Sequence, residues 1–377
     1  MNICVPLPTA SSRLPVWRLL AFTLAGFIAI VTETLPAGLL PQISQGLGIS
    51  EAMAGQLISL YALGSVAAAI PLIAATRSWR RRPLLLLAIG GLLLFNSLTA
   101  LSTHYLLTLA ARFAAGMAAG LVWGLLAGYA RRLVVPLGAW LGTLMDWPQI
   151  FWGLSLLALL LWFWVRLAVP DYPGQPAHQR QPIARIFLTR GLPQALLVIF
   201  VWILAHNILY TYIAPFLASL GLAASLDRAL LVFGLASLVG IWFTGLGVDR
   251  WLRGLTLCSL AGFALACLLL GIAASQPWLA WLGIGAWGLT FGGAPTLLQT
   301  AVADVAGEGA DVAQSMLVTI FNLGIACGGM VGGLLLQRYG AASFPWAMAA
   351  LALVGLMLVW GARSHAFKPG QRSACCA

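Results

Sequence analysis

The sequence predicts an all-α integral membrane protein, a bundle of twelve spans arranged as two six-span halves. Three observations predict it. Of the 377 residues, 61% are hydrophobic and 8% charged, where a soluble domain carries about 25% charge. Apolar runs long enough to cross ~30 Å of hydrocarbon recur along the whole chain, and mean hydropathy is +0.97. Basic residues collect in alternate loops, the pattern that sets membrane orientation.

Taken in order, apolar runs fall near residues 17–40, 52–75, 84–103 and 106–129, then a short one at 133–146, then 149–168. They resume at 194–217, 228–247, 255–275, 278–302, 312–335 and 343–362. Arg13 and Arg18 precede the first run, Arg77 and Arg80–Arg82 follow the second, and Arg131 and Arg132 follow the fourth. Arg180, Arg185 and Arg190 lie between spans six and seven, Arg250 and Arg253 after the eighth, and Arg363, Lys368 and Arg372 near the C-terminus. The opposite loops hold only Arg228 and Arg338. The positive-inside rule therefore places both termini in the cytoplasm. That needs an even number of spans, so the short run at 133–146 counts as span five. The polar, proline-containing stretch Pro170–Arg190 separates the halves. The expected organisation is a first half at 1–169, a linker at 170–192, a second half at 193–363 and a cytoplasmic tail at 364–377.

The net charge of +11 sits in these short loops, so it reads as topology beside a lipid bilayer and not as a nucleic-acid surface. The six cysteines show no metal-ligand spacing, and Cys375-Cys376-Ala377 does not make a prenylation box. No phosphate-binding loop, GxSxG or H-E-x-x-H pattern occurs. An ATP-driven pump or membrane hydrolase therefore has no support, no cofactor or metal is expected, and the protein is not read as an enzyme.

Ionisable residues inside spans are expensive and usually functional. Between Arg18 and Pro41 the only one is Glu33, and Arg112 is the only cation in the interior of a span, away from its ends. Glu33 is the candidate proton site; the competing reading puts it near the outer interface. Arg112 can pair with Glu33, hold a backbone carbonyl or serve a purely structural ion pair. In span seven His206 and Tyr210 share a helix face, as do Asn207 and Thr211. His206, Tyr210 and Tyr212, with Gln299 and Asn322 in spans ten and eleven, are the candidate substrate-cavity residues. Interhelical hydrogen bonds and interfacial anchoring are the plainer readings of the same side chains. Gly324, Gly328, Gly329, Gly332 and Gly333 give small-xxx-small spacing, which argues close helix packing.

Several tracts resemble one known family. Gly245–Arg253, GLGVDRWLR, fits the G-x-x-x-D-R-x-x-R loop of the major facilitator superfamily, with Asp249, Arg250 and Arg253 in place. The matching loop after span two, TRSWRRRP, has Thr76 where that pattern has Asp, but keeps Arg77, Arg80 and Arg81. Arg112-x-x-x-Gly116 resembles the R-x-x-x-G motif of the family's proton antiporters. TETLPAGLLP in span one, Tyr61–Gly64, Leu209–Pro215 and the tract from Gly292 to Gly329 look like the bacterial drug, sugar and nucleoside efflux branch. The resemblance implies a monomeric twelve-helix transporter of the bacterial inner membrane. It further implies alternating access and export of a small organic solute in exchange for protons, with Glu33 and Arg112 carrying the coupling. Arg77, Arg80, Arg81, Asp249, Arg250 and Arg253 would gate the cytoplasmic face.

One part of the pattern is missing. Span five of such antiporters carries a Gly/Pro-rich motif, yet Leu133–Met145 offers only about 20 Å at 1.5 Å per residue. From Gly120 to Gly138 is 18 residues, whereas the corresponding stretch of the second half, Gly288 to Gly333, is 45, a shortfall of 27. Loss of a loop and most of a helix at Val135-Pro136 would produce this sequence. A transport-deficient copy or sensing remnant is thus the rival reading. Uptake by symport is a third.

Overall fold

The computed structural model describes residues 16–69, 76, 79–123, 146–168, 183–273, 276–306 and 310–367. Those residues are almost wholly helical, with no strand among them. The predicted fifth span, the linker from 169 to 182, the tail beyond 367 and Arg77 lie outside them, as does the side chain of Arg81.

In the first half, α1 (Val16–Gly38) turns through 73° into α2 (Leu40–Leu47). Pro36 and Pro41 explain the bend: each lacks an N–H, and each ring crowds the carbonyl four residues back. Gly48, at φ +64, closes α2 in the left-handed conformation that glycine adopts without strain. Helix α3 (Glu51–Ala69) starts where the Ser50 hydroxyl accepts the Met53 N–H at 3.2 Å, an ordinary N-cap. Helices α4 (Arg81–Leu101), α5 (Tyr105–Trp123) and α6 (Trp147–Ala168) complete the described part of this half.

The second half runs through α7 (Ile183–Phe187), α8 (Leu192–Thr211), α9 (Ile213–Ser219) and α10 (Leu226–Gly271). It ends with α11 (Pro277–Gly292), α12 (Ala294–Ala306), α13 (Ala310–Tyr339) and α14 (Phe344–Gly361). Two predicted spans, 194–217 and 278–302, are broken where hydropathy shows no seam. The first breaks at Tyr212 (φ −114, ψ 32) and the second at Gly293. Pro215 and Pro295 supply the reason, since neither donates to the carbonyl four residues back and the helix must stop before it. The predicted spans 228–247 and 255–275 are two helices, together labelled α10, that meet at a kink at Trp251 (φ −133, ψ 39). The tract read as a loop is therefore a kink.

The packing is that of a bundle in lipid. Large apolar side chains such as Leu106, Leu160, Leu167, Trp242, Leu246 and Trp360 cover the outside. Helix α8, apolar on every face, is almost entirely enclosed, as expected of a helix central to a bundle. Its interior contacts run through α13 into α3, which joins the two halves. The close approach depends on glycine: a Cβ on Gly329 would collide with the Ser59 hydroxyl, and one on Gly116 with the Tyr61 carbonyl. The small-residue spacing on α13 is thus explained by backbone proximity.

Candidate functional site

The two expected charges come together in the first half. Glu33 on α1 is 3% exposed and Arg112 on α5 is fully enclosed. Each lies within electrostatic reach of the other, and both act on Tyr61 of α3. The Tyr61 hydroxyl donates to the Ala29 carbonyl at 2.8 Å, one turn before Glu33. The guanidinium lies 4.6 Å from the Tyr61 ring centroid and 5.7 Å from that of Phe151 on α6. Such cation–π contacts contribute ~2 kcal/mol when desolvated. Its Nε donates to the Leu57 carbonyl at 3.4 Å, while Nη1 and Nη2 have no hydrogen-bond partner among the described residues. Beside Glu33, the Thr32 hydroxyl accepts from Asn96 at 3.1 Å. The first half therefore holds a carboxylate and a guanidinium away from water, in a pocket of hydrogen-bonding side chains. That arrangement can bind and release a proton when its exposure changes.

The polar side chains of the second half divide into two groups. His206, 7% exposed, lies among aromatic rings: Phe291 stacks on it at 3.6 Å and 3°, and Tyr210 at 4.8 Å and 28°. Trp287 donates its Nε1–H to His206 Nδ1 at 3.1 Å, and Phe233 lies 4.4 Å from Trp287. The predicted His206–Tyr210 pairing on one face is what the helix builds. Phe233, Trp287 and Phe291 were not foreseen; the four-residue spacing of Trp287 and Phe291 was the available signal.

Asn207 and Asn322 are buried, and each turns its amide back to its own helix, to Ile203 at 2.9 Å and Val318 at 2.8 Å. The Asn322 Oδ1 has no hydrogen-bond partner among the described residues. Gln299 is half-buried on α12.

Tyr212 sits at the α8–α9 break, fully buried where the halves meet. Its hydroxyl has the Gly329 carbonyl at 2.9 Å and the Ala52 carbonyl at 3.3 Å as acceptors, and Gln56 of α3 donates to it at 3.5 Å. It thus ties α8, α13 and α3 together at the end of the bundle that carries α2 and α9.

Of the expected gating residues, Asp249 and Arg250 are exposed beside the Trp251 kink, and Arg80 is exposed at the start of α4. Arg253 reaches across to the end of α14, donating to the carbonyls of Val359 (2.7 Å), Trp360 (3.0 Å) and Phe367 (3.2 Å). The first two belong to the last turn of α14, whose carbonyls a helix end leaves without intrahelical partners, and Phe367 lies six residues beyond it.

A helical bundle of two joined halves, apolar outside and with buried ionisable and hydrogen-bonding groups in its interior, defines a membrane transport protein. The Major Facilitator Superfamily model matches residues 22–136, 133–312 and 229–374, and the chain belongs to that family. It is 29% identical over 360 aligned positions to the purine ribonucleoside efflux pump NepI of Escherichia coli strain K12, covering 88% of this chain and 90% of the relative. NepI of Shigella flexneri matches to the same extent. Among solved structures, the human organic anion transporter MFSD10 superposes with a TM-score of 0.72 at 17% identity, over 92% of this chain and 100% of that one. The proton:xylose symporter XylE gives 0.70 at 14% identity, over 92% and 95%.

Proposed function

We propose that this protein exports a small organic solute of the purine ribonucleoside class in exchange for protons. Both termini would face the cytoplasm of a bacterial cell, in whose inner membrane a single chain would act. The carrying observation is the enclosed group Glu33–Tyr61–Arg112 in a chain whose relatives over most of its length are purine ribonucleoside efflux pumps. Antiport needs one site that holds either a proton or a state compatible with substrate, never both at full strength. A carboxylate beside an immobile guanidinium meets that need. With Glu33 charged the pair is mutually stabilised; with Glu33 protonated, the Arg112 charge is no longer offset and acts on the cavity and its solute. Alternating exposure of this site, by rocking of one half on the other about the α3–α13 contact, would couple the two flows. Asn322, Gln299 and the His206 group would face the solute from the second half. Arg80, Asp249, Arg250 and Arg253, with Arg77 and Arg81, would hold the cytoplasmic ends.

Inverted membrane vesicles energised with a proton gradient test this reading. Addition of inosine should dissipate the gradient and drive inosine accumulation, and Glu33→Gln should abolish both while the protein still inserts. Unchanged coupling in that variant would remove Glu33 from the mechanism. A second reading is favoured by one observation, the 27-residue shortfall of the first half against the second near Val135-Pro136: a folded but transport-deficient copy. A wild-type chain that inserts yet moves neither solute nor protons, for any nucleoside, sugar or drug offered, would select it.

A further inference from the structure

Two arginines of the second half are brought together by helices far apart in the chain. After the Trp251 kink, the second part of α10 runs back alongside α14. A Cβ on Gly355 would meet Leu260, and one on Gly271 would meet Trp346. This antiparallel register carries Arg253, at the start of that part, to the last turn of α14. There the carbonyls of Val359, Trp360 and Phe367 hold its Nη1 and Nη2, and its guanidinium lies 5.8 Å from the Trp360 ring centroid. The turn beyond α14 is fixed as well: Ala366 and Phe367 both donate to the Ala362 carbonyl, at 3.1 and 3.2 Å, and Phe367 is fully buried. Arg363 is presented from that turn, exposed and within electrostatic reach of Arg253.

Two like charges are thus held near each other by backbone contacts. Arg253 cannot swing away without giving up its three bonds, and the charged group that acts on it is the cation Arg363, not a carboxylate. Asp249, the acid closest to it in sequence, lies on the other side of the Trp251 kink. Next to the two charges the surface is apolar and open. Trp360 is 69% exposed, Met357, one turn earlier on α14, 65%, and Trp251 68%. On α10, Cys258, Ala261 and Leu265 continue the exposed stripe. Indoles at the end of a span sit at the level of the lipid headgroups, and the positive-inside rule assigns this end to the cytoplasmic leaflet, where anionic lipids concentrate. A free anion would engage only the arginines, and a neutral lipid only the apolar face. A molecule with a phosphate joined to hydrocarbon matches both.

We propose that Arg253, Arg363 and Trp360 form a binding site for the phosphate of an anionic phospholipid, whose acyl chains lie along the outer faces of α10 and α14. The phosphate offsets the repulsion between the two guanidiniums. Arg253 supplies charge from a fixed position, and the exposed Arg363 closes on the phosphate with its planar fork. The site stands apart from the transport reading, since it needs only the folded second half of the chain in a bilayer.

The test uses the full chain in bilayers of equal parts phosphatidylglycerol and phosphatidylcholine. Native mass spectrometry counts the lipids retained after extraction by wild type, Arg363→Gln, Arg363→Lys and Trp360→Leu. Wild type should retain phosphatidylglycerol in preference to phosphatidylcholine. That preference should fall about fivefold in Arg363→Gln, the loss expected for one arginine at an anionic lipid surface, and persist in Arg363→Lys. Trp360→Leu keeps both charges and an apolar side chain but removes the indole, and should weaken retention of the bound lipid. Because a variant can fail to fold, wild type is also titrated with sodium chloride and with inorganic phosphate at matched ionic strength. Salt should erode the preference, and inorganic phosphate should displace no more lipid than chloride does. Equal retention of the two lipids by wild type, a preference unchanged in Arg363→Gln, or displacement of the lipid by inorganic phosphate beyond that by chloride overturns the proposal.

Discussion

Replacing Tyr212 by phenylalanine should loosen the end of the bundle where α2 and α9 lie. The ring of Tyr212 stays packed in that variant, so the perturbation is confined to one hydroxyl. What crosses between the halves is the Gln56 amide at 3.5 Å and the Ala52 carbonyl at 3.3 Å; the 2.9 Å bond to Gly329 lies within the second half. The two crossing bonds are long, so together they are worth about 1 kcal/mol, near the usual net value of a single intramolecular hydrogen bond. The helix carbonyls keep their intrahelical partners, so no large penalty for an unsatisfied group adds to this. A loss of about 1 kcal/mol in the closed state raises the open population at this end about fivefold. Electron–electron resonance between spin labels at Met53 and Ala224, exposed at this end on opposite halves, reads that population directly. A distance distribution for Tyr212→Phe indistinguishable from wild type would refute the assignment of Tyr212 as a tie between the halves.

Two further substitutions probe the packing. Gly116→Ala places a methyl against the Tyr61 backbone carbonyl, and overpacking of this kind costs about 1–3 kcal/mol; a lowered thermal midpoint in detergent is expected, and an unchanged one would mean that α3 and α5 are not in close contact there. Arg253→Gln removes the charge-assisted capping of α14 at Val359 and Trp360 and the bond to Phe367 beyond it, worth about 1.5–3 kcal/mol for hydrogen bonds to a charged group. Faster hydrogen exchange in the last turn of α14, with the first half unaffected, is the expected signature.

The reach of sequence reasoning here follows from the solvent. Hydrocarbon offers no hydrogen bonds, so every span must be a helix and must be apolar, and both requirements are visible residue by residue. For the same reason Glu33 and Arg112 stood out: a charge in an apolar run is an anomaly before any partner is known. The shortfall near Val135-Pro136 was legible because the second half supplies a ruler within the same chain. Hydropathy was blind to the breaks at Tyr212 and Gly293, because a kink changes direction and not composition. Pro215 and Pro295 marked them, but a proline in a span is compatible with bending or with breaking.

What the sequence by itself determined is the material and its order: a multi-pass helical protein, two similar halves, one acid and one cation set inside. Periodicity also put His206 and Tyr210 on one face. Only the tertiary structure decided their company. Tyr61 lies beside Glu33 and Arg112, Trp287 hydrogen-bonds the imidazole of His206, and Tyr212 ties the halves together, each through residues far away in the chain. Arg253, marked in the sequence as part of a loop motif, caps a helix more than a hundred residues on. Such contacts are set by which helix faces meet, and that depends on the packing of all of them at once, with glycines such as Gly329 setting how closely two backbones approach.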